Sequence, residues 1–141
     1  MATDLIVIGG GEHARVVMET AKLQPKKWKL LGFLDKKPCA ETVKALNVNR
    51  LGDDSVIFKI LINNSKVKFI IGIGGSSQAL REDIVRKLNL PDERWAVVIH
   101  PSASVSKSAI IGNGSVILAR SVVHVGTKIG AHCIVNTGAI I

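Results

Sequence analysis

The stretch VIGGGEHARVV, Val7–Val17, joins an aliphatic run to a helical pattern through three glycines. Gly9-x-Gly11-x-x-Ala14 follows a strand and opens a helix, the context in which such a turn approaches an anion. The glycines remove the Cβ obstacle. The helix N-terminus adds free N–H groups and a dipole of roughly half a charge. The plain alternative is a tight strand-to-helix turn that holds nothing. Glu12 places a carboxylate in the first helical turn, which opposes a deeply cradled pyrophosphate and suits a helix start. His13 lies in the same turn, as a surface histidine or as a contact to phosphate or sugar.

Outward from the turn, residues 1–98 alternate strand and helix patterns. Strands are expected over Asp4–Ile8, Lys29–Asp35, Lys68–Ile73 and, last and short, Trp95–Ile99. Helices are expected over Glu12–Leu23, Asp53–Asn63 and Ser76–Leu88, with Asp53 or Asp54, and Ser76 or Ser77, as caps. On the last helix Ala79, Leu80, Ile84 and Leu88 are read as one side. Continuous aliphatic strands between helices argue a parallel sheet covered on both faces. The segment is the size of one mononucleotide-binding half of a Rossmann fold. Asp35 closes the second strand, where a carboxylate is placed to bond a ribose hydroxyl.

Residues 99–141 follow another rule. Written in sixes from IHPSAS, the first place is always branched: Ile99, Val105, Ile111, Ile117, Val123, Ile129, Val135 and Ile141. The fifth place is always small: Ala103, Ala109, Ser115, Ser121, Thr127, Cys133 and Ala139. A period of six marks a hexapeptide β-helix. Each six forms one flat side of a triangular prism, with the branched residue on the narrow axis and the small one at the bend. Glycines 112, 114, 126, 130 and 138 fit turns. The expected division is therefore 1–98, a small Rossmann-like domain, and 99–141, an incomplete β-helix.

Composition narrows the function. Nineteen basic against eleven acidic side chains leave a formal charge of +8. No basic stripe interleaves with aromatics, so nucleic acid is not the expected partner. Lys26, Lys27 and Lys29, with Lys36 and Lys37, read as a solvated face or as attraction for an anionic small molecule. The apolar runs fall far short of the roughly 20 residues of a membrane span, and Asp4 interrupts any signal-peptide pattern. Cys39 and Cys133 stand in no metal-ligand spacing, and reduced thiols in the cytoplasm are expected.

The turn GGGEHARVV, the segments GFLD and IIGIGGSSQALRE, the HPSA junction at His100–Ala103 and the hexads through IVNTGAII together resemble bacterial sugar O-acyltransferases. The type is that of the sialic acid O-acetyltransferases, close to the enzymes that acetylate UDP-4-amino-sugars. The resemblance spans essentially the whole chain. It implies an α/β domain that binds a nucleotide-linked sugar, a left-handed β-helix, a homotrimer, and acetyl-CoA as acyl donor between subunits. It also implies that Gly9, Gly10, Gly11 and His13 line the phosphates, Asp35 the nucleoside and Gly74 the base side, with Asn136 near the acetyl-transfer site. Some relatives carry a second carboxylate directly after the one at Asp35, where this chain has Lys36.

Acetyl transfer needs a base for the acceptor's proton and a donor for the thioester oxyanion. The resemblance implies a histidine base just beyond NTGA, where this chain ends. A C-terminally truncated enzyme, inactive as it stands, is thus the first expectation. His100 reads as structural at the domain junction, and His124 and His132 as surface or trimer contacts, so no catalytic residue and no metal ligand is assigned. The second expectation is a non-catalytic nucleotide-sugar-binding module. A fragment of an NAD-dependent oxidoreductase is a third.

Overall fold

The computed structural model describes residues 1–141. β1 (Thr3–Ile8), β2 (Trp28–Leu34), β3 (Arg50–Gly52) and β4 (Lys68–Ile71) form one parallel sheet in the order β3-β2-β1-β4. β1 lies inside it and alternates between two cores. Leu5 and Val7, with Phe33 and Ile70, pack against Ala14, Val17, Met18 and Ala21 of α1 (Glu12–Lys22). Ile6 and Ile8, with Leu34, Phe69 and Ile71, meet Ile57 of α3 (Ile57–Asn63) and Leu88 of α4 (Gln78–Leu88). Helices on both faces require strands that are apolar on both faces, which is why β1 and β4 carry the continuous apolar runs Leu5–Ile8 and Phe69–Ile71. A further helix, α2 (Ala40–Leu46), lies beside α1.

Seven two-residue strands follow: β5 (Val98–Ile99), β6 (Ser104–Val105), β7 (Ile110–Ile111), β8 (Val116–Ile117), β9 (Val122–Val123), β10 (Lys128–Ile129) and β11 (Ile134–Val135). They pair in parallel as β5-β8-β11, β6-β9 and β7-β10. Each residue pairs with the one three hexads away, as Val98 with Val116 and Val116 with Ile134. Ile117, Val123, Ile129 and Val135 form one buried cluster, packed with Ile99, Val105, Ile111 and the small residues Ala103, Ala109, Cys133 and Ala139. The first and fifth hexad places therefore meet on a common axis. These short parallel strands are compatible with the start of a β-helix. The alternate residues Val98, Val116 and Leu118 turn the other way and join the α1 core, so one face of the coils is fixed to the sheet domain.

Four expectations are corrected. Trp95–Ile99 is not a sheet strand: Trp95 makes a single bridge to Phe69, and Val98–Ile99 pairs with β8 of the coils. On α4 the inward residues are Arg81, Ile84, Val85 and Leu88, while Ala79 and Leu80 are exposed. The inward side is thus the one spaced 81, 84, 85, 88, and it admits a buried arginine. Neither Ser76 nor Ser77 caps that helix with its side chain, because Gly75–Ser77 forms a 3-10 turn. Asp53 does cap its helix, accepting from Ser55 N at 2.9 Å. Finally, α2 and β3 fall where no element was expected. Both are short, and α2 starts at Cys39 with φ 48° and without a side-chain cap.

Candidate functional site

The ends of three strands converge at the glycine turn. Gly9 ends β1 with φ 109°, and a Cβ there would lie 3.1 Å from Ile73 and 3.3 Å from the Gly72 carbonyl oxygen, just past β4. Gly10 is buried: a Cβ would stand 2.5 Å from the Phe33 ring and 2.8 Å from Cys39 Sγ. Its N–H donates to Asp35 Oδ2 at 2.9 Å, and its carbonyl accepts from Thr42 Oγ1 at 2.6 Å. Asp35 also accepts from Lys37 N at 2.9 Å through Oδ1, and its own carbonyl accepts from Arg50 Nε at 2.7 Å. Asp35 and the buried Thr42 thus clamp the Gly10 peptide from both sides.

Gly11 differs from its neighbours. It has an ordinary φ of −82°, and a Cβ built on it meets nothing within 4 Å. The protein's own packing therefore gives no reason for glycine there, and the space above it is open. The N–H groups of Gly11, Glu12, His13 and Ala14 have no backbone acceptor, and no side chain caps the helix. These are the unsatisfied donors of a helix start, aimed out of the sheet ends. Gly74 forms the far wall, where a Cβ would lie 3.7 Å from that of His13.

Six of the seven expected residues are thereby brought together: Gly9, Gly10, Gly11, His13, Asp35 and Gly74. Asn136 is apart, exposed in the turn after β11, with its carbonyl accepting from Ala139 N and its side chain in no hydrogen bond. Thr42, Cys39, Arg50 and Arg81 were missed. Thr42 sits on the unexpected α2. Arg81 was legible from its spacing to Ile84, Val85 and Leu88. Burial, then the charge and hydrogen bond of Asp35, push the Cys39 thiol's pKa up.

Two histidines carry buried ring nitrogens without partners, His13 Nε2 and His132 Nδ1. Burial, then the Arg81 charge, lowers the pKa of each, with Asp92 pulling His132 the other way. Folding therefore favours the neutral form of each ring. Below about pH 6.5 the unfolded chain takes up protons that the folded chain refuses. Their stability contribution is therefore complete above that pH and is lost as pH falls through the lower, folded values. The melting temperature is expected to drop between pH 7.5 and 5.5, above the main carboxylate range, and a His13→Gln/His132→Gln variant to flatten that slope. An unchanged slope in the double variant would contradict the assignment.

A cleft of about 570 Å³ separates α4 from the coil segment Ala131–Ile134, and it reaches the glycine-turn site only at Gly75. No three His, Cys, Asp or Glu side chains group as a metal site, and no helix is long and apolar enough to cross a membrane.

A parallel sheet whose strand ends carry a glycine turn, followed by coils built of six-residue sides, defines a two-part α/β-plus-β class. Residues 4–88 match the PglD N-terminal domain family, and the chain belongs to that family. UDP-N-acetylbacillosamine N-acetyltransferase of Bacillus subtilis (strain 168) is 33% identical over 116 residues, 82% of this chain and 51% of that protein. PerB of Caulobacter crescentus, solved with CoA and GDP-perosamine, shares 30% identity and a TM-score of 0.80 over 98% of this chain and 62% of its own. The acetyltransferase domain of PglB from Neisseria gonorrhoeae FA1090, solved with acetyl coenzyme A, shares 29% identity and a TM-score of 0.79 over 100% of this chain and 65% of its own. The chain spans about half the length of the curated relative.

Proposed function

We propose that the chain is the nucleotide-sugar-binding part, with the first coils, of an acetyl-CoA-dependent sugar acetyltransferase. The observation that carries this is the open space above Gly11 beside four unpaired N–H groups. A glycine that the protein's own packing does not need, next to donors that nothing in the chain satisfies, fits a phosphate as the missing partner. On this reading residues 1–98 bind the nucleotide and residues 99–141 begin a left-handed β-helix. Gly9 and Gly10 shape the turn, and the amides of Gly11 and His13 face the phosphates. Asp35, with lone pairs left on both oxygens, faces the nucleoside. Gly74 closes the base side, and Asn136 lies toward the acyl donor.

The chemistry would be direct acyl transfer. The sugar amine or hydroxyl attacks the thioester carbonyl, loses its proton to a base, and CoA leaves as the thiol. We assign that base to none of the four histidines here. His13 belongs to the glycine turn. His100 Nδ1 is held by Ser102 N at 3.0 Å and Oγ at 2.8 Å, and His132 stands edge-on to Trp95 at 4.7 Å. His124 is exposed on a coil turn. The relatives with CoA or acetyl-CoA share this fold over nearly the whole chain, which supports the same donor for the protein to which these residues belong.

The reading extends to a cytoplasmic homotrimer built on the coils. Ile110, Val125 and Ile140 are exposed there, and side-by-side packing would cover such apolar positions in a stack of little more than two turns. Light scattering at tens of micromolar is expected to give a trimer, and a stable monomer would refute it. The nucleotide reading is tested by calorimetry, where a UDP-sugar is expected to bind and NAD is not. A GDP-sugar arm matters as well, since one relative holds GDP-perosamine.

A further inference from the structure

Arg81 is only 6% exposed, and no carboxylate pairs with it. Its guanidinium Nη1 donates to the Ile73 carbonyl at 2.5 Å, and its Nη2 to the His132 carbonyl at 2.6 Å. A buried charge without a counter-charge is costly, and an apolar side chain of similar volume would pack this helix face at less cost. The two carbonyls belong to different parts of the fold. Ile73 leads into Gly74 and Gly75, the far wall of the glycine-turn site, beside the first turn of α1. His132 is a left-handed residue, φ 56°, in the coil turn, with its ring against Trp95. A planar fork reaches both at once, which a single ammonium does not.

We propose that Arg81 is a positioning residue that locks the Ile73–Gly75 wall of the ligand site to the coil turn around His132, so that a ligand at the glycine turn is felt on the coils. The inference rests on the nucleotide-sugar reading. An acceptor held at the sheet ends and an acyl donor held along the coils react only at a fixed offset, and an error of about 1 Å costs about a hundredfold in rate.

Hydrogen exchange on the full chain, with and without a UDP-sugar, tests it. In the wild type the ligand is expected to slow exchange at residues 73–77 and also at 130–134. In Arg81→Met the ligand still protects the glycine turn. The 130–134 amides, however, exchange about tenfold faster and no longer respond to the ligand. Arg81→Lys keeps the charge without the fork, and is expected not to restore the response at 130–134. Ligand protection of 130–134 persisting in Arg81→Met would overturn the proposal. So would a loosening spread evenly over the chain, or recovery of the response in Arg81→Lys. If the wild type binds no nucleotide-sugar, the reading of the site fails. Arg81 is then judged on the ligand-free chains: joint acceleration of 73–77 and 130–134 in Arg81→Met supports the lock, and unchanged rates refute it.

Discussion

Gly112→Ala is expected to unfold the coil segment at a markedly lower temperature than the wild type. A Cβ at position 112 would sit 2.5 Å from Ala131 N and 2.6 Å from the Gly130 carbonyl oxygen. Both are backbone atoms of the next coil, so no rotamer change relieves the overlap. The coils must separate, and their ladder stretches with them: Gly112 N donates to the Ile129 carbonyl at 2.8 Å. Overpacking of this kind costs about 1–3 kcal/mol, and a clash with backbone belongs at the upper end. For a chain of this length that is a fall of roughly 10 °C in melting temperature. Gly126→Ala is the matched control. Gly126 has φ 74° and open space around its Cβ position, so it loses only the left-handed preference, about 1–2 kcal/mol. Thermal melts of the two variants separate close approach from backbone conformation. Equal losses would refute the packing account.

That contrast also marks how far the sequence could be read. The period of six named the axis residues, because a branched side chain recurring every sixth place has only one line on which to meet. It assigned all five coil glycines to turns. It could not tell that Gly114, Gly126 and Gly138 need positive φ while Gly112 needs room, since spacing along a chain does not encode the distance to the next coil. The same limit applies at Arg81. Its spacing to Ile84, Val85 and Leu88 was visible, yet charge argued for solvent, and the two carbonyls that hold it lie 8 and 51 positions away. Strands β1, β2 and β4 and helices α1 and α4 were legible within a few residues because they carry long apolar patterns. α2 and β3 carry none. Thr42, which completes the clamp on Gly10, was hidden with α2.

Asp35→Ala is expected to lose most of the UDP-sugar affinity, and the reason begins with Gly10 and not with the ligand. Asp35 is the acceptor for the buried Gly10 N–H and for Lys37 N. Removing it leaves the Gly10 donor unsatisfied, while Thr42 still holds the carbonyl on the other side. A hydrogen bond to a charged group contributes about 1.5–3 kcal/mol. If the turn distorts to regain a partner, the amides of Gly11 and His13 lose their aim. On the proposed reading the nucleoside contact goes as well. Together these predict a loss of at least about tenfold in affinity, and about a hundredfold if both terms act in full. Asp35→Asn keeps an acceptor oxygen for one of the two N–H groups and is expected to fall between. Calorimetry of wild type, Asp35→Asn and Asp35→Ala with a UDP-sugar, a GDP-sugar and NAD reads the order directly. Circular dichroism confirms that each variant remains folded. Undiminished UDP-sugar binding in folded Asp35→Ala would remove both the clamp and the nucleoside contact from the argument. Tighter binding of NAD than of either nucleotide-sugar would return the glycine turn to the dinucleotide class.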